Sequence, residues 1–175
     1  MIHNLITSRA VPEMIAELGG RPVRTRVGHS YIKATMAETD AIFGGEHSGH
    51  FYFRDFWRAD SGMLAALHAL AALAETDRPL SELLSDYERY VVSGEINSTV
   101  DDLAAVTADI EAAYAHHEDV TTDLLDGLTV SHPDWWFNVR PSNTEPLLRL
   151  NAEGRDRATM AEVRDAVLTI IRRER

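Results

Sequence analysis

The chain has no cysteine, which excludes disulfides and thiolate metal sites and fits a reducing compartment. It has no basic excess either: 17 Lys and Arg stand against 28 Asp and Glu, a formal net charge of −11. A nucleic-acid surface needs clustered Lys and Arg along a backbone track, so no nucleic-acid partner is expected. A phosphate ligand is not excluded by this, because one or two arginines aimed into a pocket bind an anion whatever the total charge. No apolar run reaches the length of a membrane span, and residues 1–20 lack a basic start followed by a signal-like apolar stretch. The chain is therefore expected to be cytoplasmic and to have no membrane partner. Internal repeats, low-complexity stretches, acidic metal-binding clusters and nucleophile motifs are all missing. Accordingly no catalytic residue and no metal ligand is assigned.

With 175 residues and 45% hydrophobic content, the chain can bury one good core or two small ones. Residues 1–94 alternate as an α/β layer requires. Ile2–Ile6 is a short apolar run. Thr7 or Ser8 then caps a helix carrying Pro12 in its first turn and Val11, Met14, Ile15 and Leu18 at helical spacing. Gly19-Gly20 ends it, and Pro22–Val27 is the next strand. A helix over Tyr31–Glu38, a strand over Ala41–Phe43 and a strand over Phe51–Phe53 give the order β-α-β-α-β-β. Asp60 or Ser61 caps a long helix whose Leu64, Leu67, Leu70 and Leu73 form a stripe most simply explained as core packing. A second, shorter helix follows Pro79.

Near residue 95 the character changes, and residues 95–175 are expected to form a small α+β domain. Leu103, Val106, Ile110 and Ala113 fall at helical spacing after Asp101 and Asp102. Asp126-Gly127 marks a turn before the strand Leu128–Val130. Strands over Trp135–Val139 and Pro146–Asn151 follow. Thr159 with Glu162 resembles a capping box for a last helix burying Met160, Val163, Val167, Ile170 and Ile171.

Two turns carry the chemistry. In Gly44–His50, glycines at 44, 45 and 49 allow Glu46 and Ser48 to stand out at a loop tip. There a carboxylate accepts from two sugar hydroxyls and a serine both donates and accepts. The plain alternative is a tight turn with Glu46 in water. His47 and His50 could share a metal only on a helix that Gly49 disfavours, so solvated histidines are the simpler reading. His29 and Lys33 sit where a strand meets a helix, suited to an anion or hydroxyl, or else a helix start with a surface lysine.

The second turn is Arg140–Thr144. Arg140 offers a guanidinium fork that matches phosphate oxygens, and Ser142, Asn143 and Thr144 offer small donors around Pro141. The same residues also make an acceptable β-turn. Arg149 alternates with Leu148 and Leu150, so it either joins this cluster or solvates the sheet. Trp135-Trp136 could stack on a sugar, although one core and one edge aromatic is the commoner outcome.

These segments, together with Thr7–Glu13, Val27–Ser30, Gly94–Asn97 and Arg140–Asn151, resemble the C-terminal half of the α-D-phosphohexomutases, most closely the bacterial phosphomannomutases and phosphoglucomutases. The resemblance runs over essentially the whole chain in order. It implies that residues 1–94 are the third domain of four, an α/β layer lacking its start, and that residues 95–175 are the fourth. It implies Glu46 and Ser48 as sugar-hydroxyl ligands, with His29, Lys33, Gly45, His47 and Arg9 as further substrate-binding candidates. Arg140, Ser142, Asn143, Thr144 and Arg149 are implied to hold the phosphate that is not reacting. The substrate class is mannose or glucose 1- or 6-phosphate, with mannose favoured by overall resemblance alone.

The family's phosphoserine loop and Asp-rich Mg²⁺ loop lie in domains 1 and 2, and no segment here matches either. The expectation is a substrate-binding half that is inactive without those N-terminal domains. The alternative is a stand-alone phosphosugar-binding module without catalysis.

Overall fold

The structure, a computed structural model, describes residues 1–142 and 145–173. They form two compact units, Met1–Arg89 and Tyr90–Arg175. An α/β layer is followed by an α+β unit, as the sequence predicts.

The first unit runs β1 (Ile2–Asn4), α1 (Ala10–Glu17), β2 (Val23–Thr25), α2 (His29–Thr39), β3 (Phe43–Gly45), β4 (Phe51–Phe53), β5 (Ala59–Asp60), α3 (Gly62–Ala74) and α4 (Leu80–Ser85). Its sheet has the order β2-β1-β3-β4-β5. β1 pairs parallel with β2 and β3, and β4 and β5 close the other edge antiparallel. Strand residues alternate between faces. On one face Ile2 and Tyr52 pack with Ile32 and Met36 of α2.

β3 lies two residues later than the predicted strand, which places Gly44 inside the sheet. A Cβ there would meet Ile32 Cγ2 at 2.8 Å and Met36 Sδ at 3.3 Å. Gly44 therefore serves close helix–sheet approach, and within the loop only Gly49 has a positive φ, 83°. On the opposite face Phe43, Phe51 and Phe53 line, with Ala65 and Ala69 of α3, an apolar groove of about 800 Å³.

Several expectations are corrected here. Ser8 and Thr7 do not cap α1: Arg9 occupies the cap position, and Ser8 Oγ accepts from Ala10 N–H. Leu18 is 84% exposed, because the chain has already left the helix. Ser61 caps α3 through the Leu64 N–H. The leucine stripe of α3 is not core: Leu67 and Leu70 are 56% and 61% exposed, and no α3 residue is buried. Helical spacing records an apolar face, not what covers it.

The second unit runs β6 (Val91–Thr99), α5 (Leu103–Tyr114), β7 (Thr121–Asp123), β8 (Leu128–His132), β9 (Trp135–Pro141), β10 (Leu147–Gly154) and α6 (Arg157–Ile171). The sheet is antiparallel throughout, in the order β6-β10-β9-β8-β7. β6 begins before residue 95, so a boundary at 94/95 would cut one strand in two. This nine-residue edge strand is mostly polar and carries Gly94 at φ 70°, which hides it from hydrophobic patterning. α5 and α6 cover one face, burying Val106, Ile110, Val163 and Val167 against Leu128, Phe137, Leu148 and Leu150. Asp156, rather than Thr159, caps α6, accepting from the Thr159 N–H. At the other end of β9 from Arg140, buried Trp136 donates its indole N–H to Glu153 at 2.7 Å.

Candidate functional site

Three separate segments of the first unit meet at a pocket of about 430 Å³. The β2–α2 junction brings Gly28 and His29, and Lys33 follows one turn along α2. The loop between β3 and β4 brings Glu46, Ser48 and His50. Tyr52 of β4 and Asp60 of β5 complete the lining. His29, Lys33, Glu46 and Ser48, predicted from separate stretches of sequence, thus share one opening. Gly45, His47 and Arg9 do not line it. Gly45 ends β3, His47 is exposed, and Arg9 stands at the N-cap position of α1.

Glu46 is not held out at a loop tip. It is 7% exposed, because its backbone closes a tight turn: its N–H donates to the His50 carbonyl, and its carbonyl accepts from Gly49. The side chain folds beneath the loop. Gly28 N–H donates to Oε2 at 3.0 Å and the Tyr52 hydroxyl to Oε1 at 2.7 Å. Burial, reinforced by Glu46, pushes the Tyr52 phenol well above its usual range, so it stays a donor at neutral pH. A carboxylate has about four acceptor sites, so two protein donors leave about two for ligand hydroxyls. Exposed His29, Lys33, Ser48, His50 and Asp60 around one buried, oriented acceptor would make a polar recognition site rather than a nucleophile.

Sequence reasoning missed Tyr52 and Asp60. The signal for Tyr52 was alternation in Phe51-Tyr52-Phe53, which turns the one hydroxyl away from the two phenylalanine faces. Asp60 was read as a cap. In the structure its Oδ2 accepts from His50 Nδ1 at 2.6 Å and its Oδ1 from Phe51 N–H at 2.9 Å. The Asp60 hydrogen bond raises the His50 pKa, and the same bond lowers that of Asp60. His50 is thereby committed to a carboxylate. Among the described residues no group of three or more His, Cys, Asp or Glu could hold a metal ion.

The second unit holds a separate cationic cluster. Arg140 on β9 and Arg149 on β10 are direct cross-strand partners. Glu95 on β6 bridges them: its Oε2 accepts from Arg140 Nη2 at 3.1 Å, and its Oε1 pairs with Arg149 Nη1 at 3.1 Å. Arg149 Nη2 also donates to Ser142 Oγ at 3.1 Å. Arg149 therefore stands in the cluster and is no solvent-facing sheet residue. Arg140 is 5% exposed. Glu145 approaches Arg149 more loosely, at 3.8 Å on the rim. Asn143 and Thr144 lie outside the described residues.

Two units so built, an α/β layer with a carboxylate pocket and an antiparallel sheet with an arginine cluster, match known domains in the same order. Residues 1–90 match the family model "Phosphoglucomutase/phosphomannomutase, alpha/beta/alpha domain III". Residues 95–170 match "Phosphoglucomutase/phosphomannomutase, C-terminal domain". The phosphomannomutase of Methanocaldococcus jannaschii is 42% identical over 171 residues, which is 98% of this chain and 37% of that protein. The phosphomannomutase of Salmonella typhimurium is 41% identical over 169 residues, covering 96% and 37%. A solved phosphoglucomutase/phosphomannomutase family protein from Burkholderia thailandensis superposes with a TM-score of 0.80 at 31% identity, covering 96% of this chain and 36% of its own. The chain belongs to the phosphoglucomutase/phosphomannomutase family, as domain III followed by the C-terminal domain. It spans a little over a third of the length of these relatives.

Proposed function

We propose that the chain is the substrate-holding part of a phosphohexomutase that interconverts hexose 6-phosphates and hexose 1-phosphates, working with N-terminal domains that supply the phosphoserine and Mg²⁺. Mannose phosphate is the favoured substrate and the cytoplasm the favoured compartment. The observation that carries this reading is the convergence of His29, Lys33, Glu46 and Ser48 on one polar pocket. Glu46 accepts sugar hydroxyls on the lone pairs that Gly28 and Tyr52 leave free. Lys33 and His29 supply positive charge and donors at the rim. In the second unit Arg140, Arg149 and Ser142, with Asn143 and Thr144 of the same loop, hold the phosphate that is not reacting. A substrate that must bind in two orientations needs one anion site common to both and hydroxyl contacts that survive the reversal.

No step of phosphoryl transfer is assigned to these residues. The chain by itself is expected to bind without turning over. Isothermal titration with mannose 1-phosphate, glucose 1-phosphate and free mannose tests the binding. A coupled mutase assay with and without the N-terminal domains tests the division of labour. Turnover by the 175-residue chain alone, or equal affinity for mannose and its phosphate, would contradict the reading.

A further inference from the structure

We propose that Glu95 is the positioning residue of the anion site, acting on phosphate through Arg140 and Arg149 rather than by touching it. The proposal rests on the reading of those arginines as phosphate ligands. Two like charges placed directly across adjacent strands repel, and the register puts Arg140 opposite Arg149. Glu95 resolves that repulsion from the neighbouring edge strand by giving one oxygen to each guanidinium, both at 3.1 Å. A guanidinium is planar, so fixing one nitrogen and the stem fixes the direction of the remaining N–H groups.

Those remaining donors are in need of a partner. Among the described residues Arg140 Nε and Arg149 Nε are buried and have no hydrogen-bond partner, while the Arg140 side chain is only 6% exposed. A buried donor left unpaired is unfavourable, and a bound phosphate is an acceptor suited to relieve it. Ser142 Oγ, held by Arg149 Nη2 at 3.1 Å, adds a hydroxyl to the cluster.

A carboxylate inside an anion site is electrostatically the wrong sign. This makes the two possible roles of Glu95 separable by direction alone. If it merely offsets charge, its removal leaves the site more positive and phosphate binds more tightly. If it positions the two forks, its removal lets them splay apart and phosphate binds more weakly.

The experiment is titration of glucose 1-phosphate into the 175-residue chain, following the arginine Hε–Nε signals by NMR, for wild type, Glu95→Gln, Glu95→Ala, Glu95→Asp and Arg140→Ala. Circular dichroism melts report whether each variant is folded. At metal sites, loss of a residue that orients the ligating side chains typically costs about 10–100-fold in affinity, and a weakening of the same order is expected for Glu95→Gln and Glu95→Ala. Glu95→Asp, which keeps the charge but has a shorter reach, should fall between these and wild type. Glu95→Gln changes least in shape, so it serves if the alanine variant fails to fold. Tighter or unchanged binding by folded Glu95→Gln overturns the proposal while leaving the phosphate reading intact, provided Arg140→Ala loses affinity. Absence of binding by the wild-type chain, or full binding by Arg140→Ala, overturns both.

Discussion

The Tyr52 hydroxyl donates a hydrogen bond to Glu46 Oε1 across 2.7 Å, and both residues are buried, at 1% and 7% exposure. The bond ties the interior strand β4 to the loop that precedes it. It also decides which carboxylate lone pairs remain for a ligand. Tyr52→Phe removes the donor and leaves a buried carboxylate oxygen short of one partner. Hydrogen bonds to charged groups contribute about 1.5–3 kcal/mol, so urea unfolding should show a loss of that order. Affinity for mannose 1-phosphate should fall as well.

Two histidines in the first unit make opposite contributions to its stability against pH. His50 is raised by Asp60, so its contribution is complete below the unfolded value of about 6.5 and is lost as pH rises through the raised folded value. His3 is lowered, chiefly by burial, while its Nδ1 faces the Asn4 carbonyl at 3.1 Å. Its contribution is present above about 6.5 and is lost as pH falls through the lowered folded value. Unfolding free energies measured from pH 5 to 8 should decline on both sides. His50→Asn should flatten the alkaline limb only, and His3→Gln the acid limb only. Symmetric flattening by either variant would contradict this assignment.

Three glycine-to-alanine changes should rank by what the new methyl meets. Gly127→Ala is expected to be worst, since φ is 69° and the added atom runs into the Val139 carbonyl and the Arg140 backbone. Gly44→Ala presses on the Ile32 and Met36 side chains, which can yield, and overpacking of this kind costs about 1–3 kcal/mol. Gly49→Ala meets nothing within 4 Å and bears only the left-handed backbone cost at φ 83°, about 1–2 kcal/mol. Denaturant midpoints give the order directly.

The uncovered face of α3 should be measurable in solution. Leu67 and Leu70 are exposed beside Met63, and the phenylalanine groove opens nearby. Contiguous exposed apolar surface favours association. The 175-residue chain is expected to bind anilinonaphthalene sulfonate and to self-associate with concentration. Light scattering on Leu67→Glu/Leu70→Glu should show less of both.

The features legible in the sequence were those set locally. The tight turn over Glu46–His50 and the periodic faces of α5 and α6 are short-range signals, and the structure places each at or near its expected position. What escaped depends on partners far along the chain. The burial of Glu46 follows from Gly28 and Tyr52 closing on it from two other segments. The bridging by Glu95 needs the β6–β10–β9 pairing, and β6 itself is too polar to read as a strand. The leucines of α3 misled for the converse reason: spacing identifies a stripe but carries no information about its cover.

The indole of Trp136, locked to Glu153 in the interior of the second sheet, has a spectroscopic corollary. Of the three tryptophans, Trp57 in the first unit is already 82% exposed, so its emission changes little when that unit unfolds. Trp135 and Trp136 both belong to the second unit. Intrinsic fluorescence therefore watches one half of the molecule and is nearly blind to the other. A melt followed by emission and one followed by far-ultraviolet dichroism will coincide only if both units lose their structure together.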